Sequence, residues 1–410
     1  MKHKGWANLL LLIGTLLLLF LGIELVLRKT HWLEARLSWA IPDPLLGWHL
    51  ASGENYVFLR GENDNPIPFR INRHGWRGKD WSIDKDPSTY RVAVLGDSYV
   101  ESLQIEEEST FLALTESSLR QETGRSVEFL NFGRSCTTQI EEYLILEREI
   151  LKFKPDAVVL FFYAVNDIGD MHPSTALSLM RPFYEVDPHS GTLKLDTRFK
   201  DTWEYKIKSW INPLKRKSYF ISLLSERFII FERLKQIKNM GFEDSEPDPE
   251  RGLEGYLSLA TATPDLQYEK NFALSKRLIR EMSLLCRKHG IPFLLVNIDT
   301  PDYFPKNETR FKSLDPTFRT YFFDDDLAAF AEAEGITLLG LTQPFRETFE
   351  KESKILHFDQ TQERTSRHYW EYGSHSGHWN YEGHRLTSRL LTEKLKLMIQ
   401  NAAVRNASLD

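Results

Sequence analysis

A chain of 410 residues and 47.9 kDa, 41% hydrophobic and 12% aromatic, can bury one large core or two ordinary ones and is too apolar for wholesale disorder. Its 52 Lys and Arg stand against 58 Asp and Glu, a net charge of −6, which argues against a general nucleic-acid binder. Two cysteines, Cys136 and Cys286, supply neither a disulfide scaffold nor a Cys-rich zinc module.

Apolar residues crowd the start. Residues 6–27 read WANLLLLIGTLLLLFLGIELVL, with the single charge Glu24 near the far end. At about 1.5 Å per residue such a helix spans the roughly 30 Å hydrocarbon core of a bilayer. Lys2 and Lys4 precede it, Arg28 and Lys29 follow it, and no small-x-small cleavage pattern comes next. The expectation is an uncleaved single-pass anchor occupying the bilayer with residues 6–27. The flanking charges nearly balance, and the body is expected outside the cytoplasm.

Residues 30–89, with PDPLLGWH and Trp76, are expected to form a small lead-in packing on the catalytic domain. Beyond residue 90 the period alternates between strand and helix. RVAVLG (91–96) reads as a doubly covered strand, followed by a helix from about Thr110 to Gly124. VEFLNFG (127–133), a helix near 138–153 and DAVVLFFYAVND (156–167) come next. After an interruption the pattern resumes with a helix near 270–289 and IPFLLVNID (291–299). A helix near 323–334, ITLLG (336–340), a last helix near 381–400 and a tail (401–410) complete it. Alternation of this kind predicts an α/β fold, a doubly wound parallel sheet of about five strands with helices on both faces. The ligand crevice of such a sheet lies outside the carboxyl ends of its strands.

The interruption, residues 168–265, is too long for a simple loop. Within it, 200–240 holds ten Lys and Arg against four Asp and Glu, interleaved with Trp203, Tyr205, Trp210, Phe220, Phe228 and Phe231. It reads as a helical cap beside the sheet or as a basic amphipathic lid lying on lipid or over the site. The acidic, Pro- and Gly-containing EDSEPDPERGLEG (243–255) reads as a linker.

The strand ends carry the candidate chemistry. Ser98, in GDSY, ends the first strand where a helix begins, so its hydroxyl points into the crevice beside unpaired N–H groups. Taken alone, Asp97-Ser98 also reads as an ordinary helix cap. Gly133 ends the second strand and Asn166 the third. The N–H groups of Ser98 and Gly133, with the Asn166 amide, would converge on one oxygen, as an acyl-transfer oxyanion needs. A serine nucleophile requires a base, and His378 in SGHWNYEGH stands before the final helix, with Asn380 as its cap and Trp379 packing alongside.

These blocks resemble the SGNH (GDSL-like) hydrolase family in its membrane-anchored bacterial form with an HWN-variant last block. GDSY (96–99) looks like the first block, NFG (131–133) the second, VND (165–167) the third and GHWNYEGH (377–384) the last. INRHGWRGKDW (71–81) is similar to a lead-in of the anchored members. The likeness covers roughly 90–167 and 270–400. It implies a three-layer sandwich and an esterase or O-acyltransferase with Ser98 as nucleophile, His378 as base and Ser98, Gly133 and Asn166 around the oxyanion. It implies no metal and no organic cofactor. The expected substrate is an acyl ester, possibly carried by a cell-envelope carbohydrate.

One departure stands out. The family's aspartate two or three residues before the histidine is here Ser376 or His375. A Ser–His dyad, an acid from elsewhere (Asp359 or Glu371) or an inactive, glycan-binding or scaffolding descendant remain open. His357, His368, His375, His378 and His384 cluster near this end without a zinc-like spacing, so no metal site is expected.

Overall fold

In the computed structural model residues 2–30, 40–60, 66–187, 189–225, 227–228, 253–300, 305–358 and 378–407 are described. Most of the 243–255 linker, His368, His375 and both loop acids, Asp359 and Glu371, therefore lie outside the described residues.

In chain order the elements begin with α1 (Lys2–Thr30), β1 (Ala40–Asp43), β2 (Gly47–Leu50), β3 (Gly53–Arg60), β4 (Pro66–Ile71) and β5 (Thr89–Gly96). They continue with α2 (Ser98–Glu101), α3 (Phe111–Thr123), β6 (Ser126–Gly133), α4 (Gln139–Arg148), β7 (Ala157–Phe162) and α5 (Ala164–Gly169). The interruption holds β8 (Phe183–Val186), β9 (Leu193–Asp196) and α6 (Trp203–Lys215). The remainder is α7 (Leu266–Lys288), β10 (Phe293–Asn297), α8 (Pro305–Leu314), α9 (Phe322–Glu334), β11 (Thr337–Gly340), α10 (Thr342–Glu352) and α11 (Tyr381–Ala407).

Contacts divide the chain into two units, Met1–Ala51 with Arg198–Glu246, and Ser52–Thr197 with Pro247–Asp410. The first contains α1, the β1–β2 hairpin and α6. Its Gly5–Thr30 stretch is long and apolar enough to cross a membrane. The one acidic side chain inside that stretch, Glu24, is answered locally. The Glu24 carboxylate accepts the N–H groups of Tyr219 and Phe220 at 3.1 and 2.9 Å, the Ser218 hydroxyl at 2.9 Å and the Arg28 guanidinium at 2.9 Å. Beside it Leu27 packs with Leu223, and the Phe20 and Phe220 rings meet edge to face at 5.7 Å.

The second unit is the α/β body. Its five parallel strands run in the order β11-β10-β7-β5-β6. β5, β7 and β10 are buried almost throughout and mostly apolar, the composition a sheet covered on both faces requires, while the edge strand β6 carries Glu128 and Asn131 at half-buried positions. Val92, Val94, Phe129, Val159, Phe161, Leu294 and Val296 face one core, which Phe111 and Leu119 of α3, Phe345 of α10 and Leu391 and Leu395 of α11 close. By strand alternation Ala93, Leu95, Val158, Leu160 and Leu295 face the other way, where α4 packs on β5 and α7 on β10. Connectivity leaves β5 in opposite directions, first to β6 and then to β7. The crevice between the carboxyl ends of β5 and β7 is therefore the topological switch point where such sheets bind ligands.

Two segments differ from the sequence expectation. The run 156–167 is not strand throughout: β7 ends at Phe162 and α5 begins at Ala164. The Asp167 carboxylate turns the chain there by accepting the Tyr163 N–H at 2.8 Å. The helix expected near 138–153 stops at Arg148, and a 3-10 turn, Ile150–Phe153, finishes the segment. α4 itself starts on a capping box, Thr138 with Glu141.

Candidate active site

The switch point gathers residues remote in sequence. Ser98 opens α2, and Asp97 caps that helix by accepting the Tyr99 N–H at 2.9 Å. Gly96 is required where β5 ends, because a Cβ there would lie 2.4 Å from Val100 Cγ2. The next strand approaches α2 as closely. Gly133 is in register with Gly96, and a Cβ on it would fall 2.4 Å from the Glu101 nitrogen.

His378 reaches the same point from the other end of the chain. Its segment pairs with 356–358: the Phe358 N–H donates to His378 O at 2.9 Å, and the Asn380 N–H to Leu356 O at 3.0 Å. The next residue, Trp379, is fully buried and donates from Nε1 to Asp299 Oδ1 at 2.8 Å, just beyond the end of β10. His357 Nε2 stands 3.0 Å from the other oxygen of Asp299. Asn380 then caps α11, its Oδ1 accepting from Glu382 and Gly383. So fixed, His378 Nε2 stands 2.7 Å from Ser98 Oγ, with its ring against Tyr99 at 4.8 Å between centroids.

Asn166 lies in the first turn of α5, across the switch point. Its Nδ2 donates to Asp97 Oδ2 at 2.9 Å. The Gly133 N–H donates to Asn131 Oδ1 at 2.8 Å, and the Asn131 amide is itself tied to Val100 O at 3.0 Å. The residue following this strand that sequence reading passed over is Cys136. It holds φ +60°, a conformation uncommon for a non-glycine. Its loop is bound to β5, the strand that leads into Ser98, since the Arg134 N–H and the Thr137 hydroxyl both donate to Gly96 O, at 3.1 and 3.0 Å. Arg181, paired with Glu141 and Asp170, holds Cys136 O at 3.0 Å. Cys136 is an exposed residue, yet its thiol is desolvated by the surrounding protein. That desolvation, with Asp170, Asp97 and Glu101 adding to it and Arg181 opposing, pushes it up to about 11, so it is not a thiolate at neutral pH. No sequence signal marked this position, because left-handed residues are usually Gly or Asn.

Burial governs the carboxyls beneath the serine. It raises Asp97 to about 6 despite the hydrogen bonds from Tyr99 and Asn166. Asp167 and Glu142 share the Gln139 amide at 2.7 and 3.2 Å, and burial lifts both well above the ordinary range. Asp97 raises Asp167 further, and Asp167 raises Glu142.

The 71–81 motif supports this floor from below. Arg77, fully buried, donates to the carbonyls of Glu101 and Ser102 and to Ile105 O at 2.6 Å. It remains a cation, although burial lowers it to about 10. Glu101, buried at the end of α2, accepts the N–H and hydroxyl of Ser135 and so fastens α2 to the Cys136 loop. His384 is a packing residue on α11, buried, with Nδ1 accepting the Phe111 N–H at 3.1 Å. Among the described residues no cluster of His, Cys, Asp and Glu suits a metal ion. A cleft of about 1140 Å³ lined by Tyr321, Asp324 and Arg346 contains neither Ser98 nor His378.

No family model matches the chain, and no curated protein does. Solved structures similar to it include a GDSL-like lipase and an acetylxylan esterase. A GDSL-like lipase from Bacteroides thetaiotaomicron is 11% identical, covering 78% of this chain and 93% of its own at a TM-score of 0.34. A catalytic mutant of an acetylxylan esterase from Geobacillus stearothermophilus is 11% identical, covering 76% and 95% at a TM-score of 0.36. An alpha/beta hydrolase from the metagenome of Lake Arreo is 13% identical, covering 75% and 95% at 0.34. At such identities and scores, the chemistry must be read from the site's own geometry.

Proposed function

We propose that this chain is a serine esterase or O-acyltransferase of the SGNH type, anchored in a membrane by α1. The observation that carries the reading is the 2.7 Å approach of His378 Nε2 to Ser98 Oγ, made by residues 280 positions apart at the switch point of the sheet. A serine beside an imidazole at that distance is the pair that nucleophilic acyl transfer needs.

In the proposed reaction Ser98 Oγ attacks the acyl carbonyl as its proton passes to His378 Nε2. The tetrahedral intermediate collapses when His378 returns that proton to the departing alkoxide, leaving acyl-Ser98. Water or a sugar hydroxyl, deprotonated in turn by His378, then attacks the acyl carbonyl, and His378 returns that proton to Ser98 Oγ as the acyl–serine bond breaks. The oxyanion is assigned to the Ser98 N–H and the second Asn166 Nδ2 hydrogen, the first being held by Asp97. Gly133 contributes only if its N–H leaves Asn131, whereas the Cys136 N–H, among the described residues, has no acceptor. For the acid that orients His378 we assign Asp359. It directly follows Phe358, whose N–H is bonded to His378's own carbonyl. The anchor sets the body at a membrane surface outside the cytoplasm, where an O-acylated envelope polysaccharide is an acyl ester within reach.

The test uses the full chain in detergent with a small acetyl ester and a fluorophosphonate probe. The native chain is expected to hydrolyse the ester and take the label, and Ser98→Ala to do neither. Equal rates for the two proteins would refute the nucleophile. A folded native chain that takes no label would favour a binding protein that keeps this fold without its chemistry. Adding an acceptor glycan and measuring its acylation against release of free acid separates transferase from hydrolase.

A further inference from the structure

The basic segment of the interruption forms a helix whose free face has a specific geometry. Along α6, Trp203, Ile207, Trp210 and Leu214 recur at spacings of four, three and four, which places them on one stripe. Tyr205, Ser209 and Asn212 lie on the opposite side and face their own unit. Tyr205 packs on Phe199 at 5.5 Å, and Asn212 is buried. The apolar stripe is uncovered: Trp203 is 77% exposed and Trp210 73%. Lys206 lies on one edge and Lys208 and Lys215 on the other, with Lys208 paired to Glu204, and Arg216 and Lys217 follow the last turn.

The position of this helix relative to α1 follows from the Glu24 junction. α6 ends three residues before Ser218, whose hydroxyl is bonded to the Glu24 carboxylate. Three residues reach about 10 Å at most, so the end of α6 is held close to the Glu24–Arg28 turn. The Arg28 guanidinium reinforces this by donating to Lys217 O at 2.9 Å. That turn is where the apolar run of α1 stops and the chain would leave the hydrocarbon.

We infer that α6 is a membrane-surface helix, lying in the headgroup layer of an anionic bilayer beside the point where α1 emerges. This rests on reading α1 as a membrane anchor. Exposed tryptophans on one stripe with lysines along its edges are what an interfacial helix presents, rings at headgroup depth and ammonium groups toward lipid phosphates. The alternative occupant, a protein partner, lacks any such reason to sit at the mouth of the anchor.

The experiment reconstitutes the full chain into phosphatidylcholine–phosphatidylglycerol vesicles with brominated acyl chains, which quench tryptophan fluorescence on contact. Three proteins are compared: native, W203F/W210F and W6F, the last removing the reporter at the far end of α1. These substitutions keep an apolar ring and change only the reporter. W203F/W210F is expected to lose part of the quenching seen in the native chain, and W6F a separate part. In vesicles of phosphatidylcholine alone the share lost by W203F/W210F should shrink while that of W6F persists. If W203F/W210F is quenched as fully as the native chain while W6F is not, the anchor stands and the surface helix is wrong. If W6F loses nothing, the anchor reading itself falls.

Discussion

Asn166 Nδ2 donates to Asp97 Oδ2 at 2.9 Å and so ties the first turn of α5 to the residue just before Ser98. One amide hydrogen of Asn166 is thereby fixed in direction, which aims the other. Asn166→Ala is expected to lower kcat on a small acetyl ester by about 10²–10³-fold with a much smaller change in KM, the signature of a lost oxyanion donor. An equal fall in Asn166→Ala and in a remote surface variant would remove Asn166 from the mechanism.

The assignment of the acid gives a contrast between two residues. Asp359→Asn should reduce kcat by about 10⁴-fold while leaving the unfolding midpoint unchanged, because an orienting carboxylate acts on the imidazole rather than on the core. Glu371→Gln should leave kcat within a few-fold of native. Reversal of the two results would transfer the role to Glu371, and native rates in both would mean a Ser–His dyad.

Cys136 is open to a test of thiol against backbone. A non-glycine held at φ +60° costs of order 1 kcal/mol, so Cys136→Gly is expected to raise stability by about that amount. Because the proposed reaction gives its thiol no part, kcat should stay near the native value. A collapse of activity in Cys136→Gly would show that the thiol takes part. Gly133→Ala, by contrast, should abolish activity by displacing α2, since its Cβ would meet the Glu101 nitrogen.

Arg77 supports α2 rather than the reaction. Replacing it with Met removes the buried donor to the carbonyls of Glu101, Ser102 and Ile105, and a loss on the order of 3–5 kcal/mol is expected by urea unfolding. A variant within about 1 kcal/mol of native would mean that water replaces the guanidinium there.

The acid limb of stability has an identifiable contributor. His384 falls from an ordinary value near 6.5 to about 3, chiefly through burial, with the Arg77 and His378 charges assisting. Its neutral form is bound in the folded chain and its charged form favoured in the unfolded one. The unfolded state thus takes up more protons between pH 6.5 and 3, and stability falls as pH drops through that window, by up to about 1.4 kcal/mol per pH unit. Asp97 acts oppositely, since its raised value relieves the fold as pH falls from about 6 toward 3.8. Comparing His384→Gln with native isolates the first effect: the variant should lose less between pH 7 and pH 5. Parallel curves would exclude His384.

What the sequence discloses here is local. β7 and β10 are short apolar runs of the kind a doubly covered strand needs, and the glycines that end β5 and β6 mark where backbones crowd α2. The sequence places Ser98 and His378 separately at the crevice edge, one where β5 ends and one before α11, and the fold brings them to 2.7 Å. Hidden were features set by contacts remote in sequence. Arg77 finds its carbonyl partners 24 to 28 residues later, and Asn131 takes the Gly133 N–H through a side-chain turn that no periodicity reports. The helical start of α5 has a strand-like sequence, because Val165 and its neighbours continue the apolar run, and the hydrogen bond from the Tyr163 N–H to Asp167 turns the chain there.

The fastening of Glu24 has a practical corollary for anyone who would prepare this protein without its apolar leader. Cutting the chain after residue 30 removes Leu27 from Leu223 and takes away the one acceptor shared by Ser218, Tyr219 and Phe220. The newly bared start of that segment would carry two amides deprived of the Glu24 carboxylate and an apolar face that had packed on Leu27. A shortened protein of this kind should self-associate through residues 218–223, and its aggregation would be a symptom of the excision, not of the catalytic body.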